Sequence, residues 1–393
     1  MRGGNITVRH YEHLSQDKIE KIFFKTASSF SKYTNIEELK YALGATLYIP
    51  GIHPKIHEYL LNRKYVSLTT MVICLEDSIG DREVEKAEKN VKDIFCKLDQ
   101  DIKMGNIDEN NLPILFIRTR NTNQLKRVLK VKEIVKYITG INIPKFNSVE
   151  GEYQLKLIQE ASMYYEIPIY AMPIIETKEV IDLRTGSKEL GSIKDIALEY
   201  REQILNIRIG ATDFTGIFGI RRSIDATIYD IGVMNECISR IINYFGQAED
   251  GFVISGPVWE FFNNKSRLLK PELRQTPFRK YGQEGVITRK EILNKAEDGL
   301  IKEVILDKVN GLTGKTVIHP SHIRLVNALQ VITKEEYEDS LQILTNKEDG
   351  VIKSMGGNKM NEMKPHTNWA KKIQVKSKIY GVINEDEDYT ALF

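Results

Sequence analysis

Short runs of β-branched and other apolar residues recur along the chain, separated by charged stretches in which apolar positions return every three or four residues. Eight runs stand out: residues 45–49 (ATLYI), 69–74 (TTMVIC), 114–118 (ILFIR), 138–143 (ITGINI), 167–175 (IPIYAMPII), 204–209 (ILNIRI), 252–255 (FVIS) and 316–318 (TVI). Several lack polar alternation, the pattern of strands buried on both faces, which are usually parallel. Between them, residues 83–103 place Val84, Ala87, Val91, Ile94, Phe95 and Leu98 on one helical stripe. Residues 149–165, 188–203 and 228–245 behave alike. Strand–helix alternation of this kind implies a closed barrel or a doubly wound sheet, and eight repeats favour an α/β fold of the (β/α)8 barrel type.

Two regions fall outside the rhythm. Residues 1–42 carry a helical pattern at 18–30 and read as an N-terminal helical extension to a barrel spanning 43–330. Residues 331–393 read as a C-terminal helical segment, with two helices joined by a glycine-containing link at 350–357 and an acidic tail, and suit contact with a neighbouring subunit. Residues 263–290, polar and with two prolines, read as an insertion in the barrel.

Composition narrows the function classes. Of 393 residues, 56 are Lys or Arg and 54 are Asp or Glu, for a net charge of +2. Such a balance gives no electrostatic reason to expect nucleic acid or an anionic membrane as partner. Cys74, Cys96 and Cys237 are sparse and unpaired in spacing, which points to a reducing compartment. With no bilayer-length apolar run and no apolar leader, the expectation is a cytoplasmic protein.

The chemistry emerges from position. Just past successive strand ends stand Glu76 and Asp77, Arg118, Lys145, Glu176, Asp213 and His319. Active sites of barrels form at these C-terminal ends. Two carboxylates such as Glu176 and Asp213 suit Mg²⁺, which leaves its other positions to water and substrate. Such an ion polarises a carbonyl and stabilises an enolate. Arg118 has the fork that grips a carboxylate. The backbone of Gly210, Ala211 and Thr212 allows close approach of a ligand. Read singly, a carboxylate at a strand end is more often a helix cap or a surface residue than a ligand, and Asp213 fits a cap of the helix that follows; the coincidence across six strand ends weighs against that reading.

These segments resemble the citrate lyase β-subunit and HpcH/HpaI aldolase superfamily, whose fold is a TIM barrel. The likeness spans about residues 43–330, with traces to about 380. It rests on Tyr48-Ile49-Pro50-Gly51, Leu75-Glu76-Asp77-Ser78, Ile117-Arg118-Thr119-Arg120-Asn121, Ile143-Pro144-Lys145, Ile174-Ile175-Glu176-Thr177, Gly210-Ala211-Thr212-Asp213-Phe214, and Gly314-Lys315 through Ile318-His319-Pro320. Residues 359–366 with Trp369-Ala370 are similar to the C–C bond lyase branch associated with tellurite-resistance gene clusters. The resemblance implies that Glu176 and Asp213 bind Mg²⁺ and that Arg118 binds a substrate carboxylate. It also implies a homo-oligomer, trimer or hexamer. Three positions depart from the pattern: Cys74 replaces an acid, Gly44 stands where many members have Arg, and Asn361-Glu362 occupies the place of a C-terminal Asp that reaches a neighbouring subunit in acyl-CoA lyases.

The expected function is therefore a Mg²⁺-dependent carbon–carbon lyase or aldolase. Its substrate is a carboxylate, a 2-oxo acid or a CoA thioester. Glu76 and Asp77 bind metal-held water or position Arg118, while Lys145 and Glu362 serve electrostatic or proton-transfer roles. A second reading is a barrel that has lost catalysis and serves as a binding or assembly subunit. His53 and His57, four residues apart, read as a surface pair rather than a zinc site for want of a third ligand. Trp259, Phe261 and Phe262 read as packing.

Overall fold

The computed structural model describes residues 8–262, 295–346 and 350–393; the insertion expected at 263–290 lies outside the described residues. All eight apolar runs form strands. They are β2 (Ala45–Pro50), β3 (Thr70–Cys74), β4 (Ile114–Arg118), β5 (Gly140–Ile143), β6 (Tyr170–Ile175), β7 (Ile207–Ile209), β8 (Ile254–Ser255) and β9 (Lys315–Val317). They follow β1 (Phe23–Lys25), which stands apart. The eight lie in one sheet in the order β8-β7-β6-β5-β4-β3-β2-β9. Every pairing is parallel. A parallel bridge between Gly256 and Lys315 joins the two edges. There Gly256 N–H donates to the Gly314 carbonyl at 3.0 Å and Thr316 N–H to the Gly256 carbonyl at 3.2 Å, closing the barrel.

Burial on both faces explains why the strand sequences do not alternate. Outward residues such as Ile73, Ile117, Ile141, Ile207 and Val317 join one continuous core beneath the surrounding helices. The helix Val84–Lys103 contributes Ala87, Val91, Ile94, Phe95 and Leu98 to it, the stripe read from the sequence. Inward residues Val72, Phe116, Met172 and Val253 belong to a second cluster, shared with Leu39, Tyr380 and Leu392 from the terminal segments. The terminal segments thus floor the barrel at its N-terminal end, leaving the C-terminal mouth for chemistry.

The ends of the chain differ from the sequence reading. The helix expected over 18–30 is Gln16–Ile22 and then gives way to β1. Phe23 and Lys25 pair antiparallel with β12 (Val382–Ile383), so tertiary pairing overrides the local helical pattern. The region expected as a link, 350–357, opens a hairpin of β10 (Val351–Lys353) and β11 (Met360–Glu362). The two C-terminal helices are Lys334–Thr345 and Met363–Tyr380.

Gly44 has a structural reason to be glycine. Its φ is +52°, and a Cβ there would overlap Asn327 Oδ1 and come within 3.0 Å of His10 Cε1. His10 stacks on Tyr380 with ring centroids 4.4 Å apart, and the Tyr380 hydroxyl donates to the Tyr41 carbonyl at 2.7 Å.

Candidate active site

The parallel register sets the side chains that follow the strands around one rim. Glu76 and Asp77 follow β3, Arg118 ends β4, Lys145 follows β5, Glu176 follows β6 and Asp213 follows β7. Six residues predicted as site residues meet here. Arg118 Nη2 lies 2.7 Å from Glu76 Oε2, 3.1 Å from Asp77 Oδ2 and 3.2 Å from Glu176 Oε1. Lys145 Nζ lies 2.6 Å from Glu76 Oε1 and 3.5 Å from both Asp77 Oδ1 and Asp213 Oδ1. Lys145 adopts φ +49°, a left-handed conformation that costs a non-glycine residue about 1–2 kcal/mol. In that conformation its backbone N–H donates to Glu176 Oε1 at 2.9 Å while its side chain crosses to Glu76.

These residues border a cavity of about 540 Å³. Asp77, Arg118, Glu176 and Asp213 line it, as do Gly210, Ala211 and Thr212, with Ile174, Ile209, Val258 and Ile318 as apolar walls. Gly210 makes room for Glu176, since a Cβ there would overlap Oε2 and sit 2.5 Å from the Glu176 Cβ.

Burial and mutual charge divide the carboxylates into two kinds. Glu176, 4% exposed, is pushed up to about 8 by burial, opposed by Arg118 and reinforced by the Asp213 charge. Glu76 is raised by burial, with Arg118 opposing and the hydrogen bond to Asp77 adding to the rise. Asp77 is also penalised by burial, but its bond from Glu76 and the charges of Arg118 and Lys145 outweigh that and lower it. The two neighbours are thus driven in opposite directions, Glu76 toward its neutral form and Asp77 toward its charge. Burial works against the charge of Lys145, yet Glu76, Asp213 and Asp77 raise its pKa, so it remains an ammonium.

The donor set fits a divalent cation. Among the described residues, four carboxylates share only Arg118 and Lys145 as bonded cations, and two of the four are driven toward holding protons. Bringing in two positive charges would let both ionise. Glu176 and Asp213 are the pair facing the cavity from adjacent strands. Among the described residues no three His, Cys, Asp or Glu side chains form a metal-binding group. A two-carboxylate arrangement is the kind Mg²⁺ accepts.

Other predicted residues lie elsewhere. Glu362 stands at the end of β11, where its N–H is bonded to His366 Nδ1 at 3.2 Å; the structure does not bring it to this cluster. His319 stacks on Phe262 with centroids 4.5 Å apart and bonds to Ser321. His57 bonds to Asp101 at 2.8 Å. Trp259 is fully buried, under the Arg222 guanidinium.

The sequence reading missed several cavity residues, chiefly Arg208, Tyr48, Thr316 and Glu260. Arg208 carried a signal: a charged residue amid Ile207 and Ile209 in an otherwise apolar run has no place in a core unless a polar group meets it.

A sequence-family model described as C–C bond lyase of the TIM-barrel fold matches residues 37–382. No curated protein matches the chain. Among solved structures, CitE from Mycobacterium tuberculosis in complex with magnesium, acetoacetate and coenzyme A superposes with a TM-score of 0.51. The identity is 17%, over 86% of this chain and 99% of that one. RipC from Yersinia pestis gives 0.45 at 16% identity, over 74% and 95%. The citrate lyase β subunit from M. tuberculosis complexed with oxaloacetate and magnesium gives 0.42 at 17% identity, over 74% and 97%. Likeness at such identity is one of fold.

Proposed function

This chain belongs to the C–C bond lyases of the TIM-barrel fold, and we propose that it makes or breaks its carbon–carbon bond beside a carboxylate with the help of Mg²⁺. The observation that carries the reading is the pair Glu176 and Asp213 lining one cavity with Arg118, in a cluster with more acids than cations. A solved protein of the same fold is bound to magnesium and acetoacetate, which is consistent with it. Glu176 and Asp213 would hold the ion. When bound there it supplies Lewis acidity toward a substrate carbonyl.

The chain's own residues provide the rest. Arg118 presents its fork to the substrate carboxylate. Among the described residues its acid contacts all run through Nη2 and its buried Nε has no partner, so donor capacity remains. Lys145 keeps its proton and supplies positive charge where negative charge develops on the substrate. Glu76, driven toward its neutral form beside Asp77, is the rim group placed to hand a proton to the carbon that cleavage leaves electron-rich. Ile174, Ile209 and Ile318 supply apolar walls to the cavity beside these charges. The substrate class is a 2-oxo acid or an acyl-CoA-type carboxylate.

The test is calorimetric titration of Mg²⁺ with pyruvate or oxaloacetate. Ligand-dependent Mg²⁺ binding that disappears in Glu176→Gln is expected. Absence of binding, or binding untouched by that substitution, would remove the proposal's basis.

A further inference from the structure

Among the described residues three arginines are buried, and two of them are matched by acids. Arg118 touches Glu76, Asp77 and Glu176. Arg222 is paired with Glu260 and Glu303. Arg208, on β7, is only 1% exposed and has no acidic partner among the described residues. Its Nη2 donates to Thr316 Oγ1 at 2.6 Å and its Nη1 to Thr46 Oγ1 at 3.4 Å. Its guanidinium carbon lies 5.7 Å from the centre of the Tyr48 ring, and its Nε has no hydrogen-bond partner among the described residues. Two hydroxyls and an aromatic ring do not neutralise a guanidinium removed from water.

Arg208 nonetheless lines the same cavity as Arg118, Glu176 and Asp213. It stands three strands round the barrel from Arg118. Burial weighs against its ionised form, the Tyr48 hydroxyl opposes this only in part, and the charge of Arg118 adds to the penalty. A cation kept in such a place, facing a ligand cavity, calls for an anion delivered by the ligand.

We propose that Arg208 receives a second carboxylate of the substrate, so that this lyase acts on a dicarboxylic acid, one carboxylate held by Arg118 and the other by Arg208. The planar fork of arginine matches a carboxylate through two parallel hydrogen bonds. The flanking Thr46 and Thr316 hydroxyls hold the fork in place. The inference rests on the cavity being the lyase site proposed above.

The experiment compares two ligands in the presence of Mg²⁺ by calorimetry: malate and 2-hydroxybutanoate. They share a four-carbon hydroxy-acid skeleton and differ in a terminal carboxylate against a methyl group. The wild-type chain is expected to bind malate about 10- to 100-fold more tightly, the range of a charge-assisted hydrogen bond. Arg208→Gln should abolish that preference while leaving 2-hydroxybutanoate affinity in place, and Arg208→Lys should keep part of it. A role confined to holding the fold would weaken both ligands together. Wild-type protein that binds both ligands equally overturns the Arg208 assignment without recourse to any variant, as does an Arg208→Gln chain that loses both alike. Mg²⁺-dependent binding of 2-hydroxybutanoate with no malate preference would leave the lyase site standing and remove only Arg208. Binding of neither ligand would remove both.

Discussion

Gly210 and Glu176 occupy one another's space: the carboxylate fills the position where any side chain at 210 would begin. Gly210→Ala should therefore displace Glu176 without deleting a charged group. The expected result is a Mg²⁺ affinity reduced at least 10-fold in calorimetry, with Asp213 and Arg118 intact. Unchanged affinity would show that Glu176 is not a ligand.

Arg118 ties together three acids from two strand ends, and neither Lys nor Gln reproduces its fork. Breaking a buried ion pair from one side costs about 3–5 kcal/mol. Arg118→Gln should lower the unfolding free energy by an amount of that order, measured by urea denaturation. It should also raise KM for the carboxylate substrate more than Arg118→Lys does. A variant as stable as the parent would contradict the buried network.

Proton binding competes with Mg²⁺ at this cluster. Burial pushes Glu176 up to about 8, so it tends to hold a proton at neutral pH when no cation is present, and Glu76 is raised in the same direction. Cation binding should release protons, and apparent Mg²⁺ affinity should rise between pH 6 and pH 8. Calorimetry in two buffers of different ionisation enthalpy reads the released protons directly. No proton release at pH 7 would contradict the assignment.

His10 sets an acid limit on stability. Burial lowers it from 6.5 to about 3, the Ala42 carbonyl opposing, and it is 1% exposed. A depressed pKa means that the unfolded chain binds the proton first. The stabilising contribution is present above pH 6.5 and is lost as pH falls from there toward 3. His10→Asn should flatten the fall in melting temperature over that window. An unaltered acid profile would rule His10 out as its source.

The strand positions and the rim acids were legible because each depends on a local pattern. Burial on both faces makes residues 69–74 and 114–118 continuous apolar runs, and a charge directly after such a run faces the mouth. What depends on distant pairing was not legible. Phe23–Lys25 reads as helix until Val382 and Ile383 arrive to pair with it. Lys315 reads as part of a Gly-Lys motif, yet it is fully buried, 2.9 Å from Glu303 and 2.7 Å from Asp307, acids on the helix that follows the 263–290 insertion. Arg208 was passed over because the run around it was read for hydrophobicity alone.

The same pairing of Phe23–Lys25 with Val382–Ile383 has a consequence for biosynthesis. The strand that completes it follows all eight barrel strands in chain order. The underside of the barrel can therefore be sealed only after every barrel strand has been made, and until then the apolar faces of Leu39 and Phe116 lack part of their cover. A chain cut before Val382 would keep the rim acids in full and yet be inclined to associate through its unsealed base.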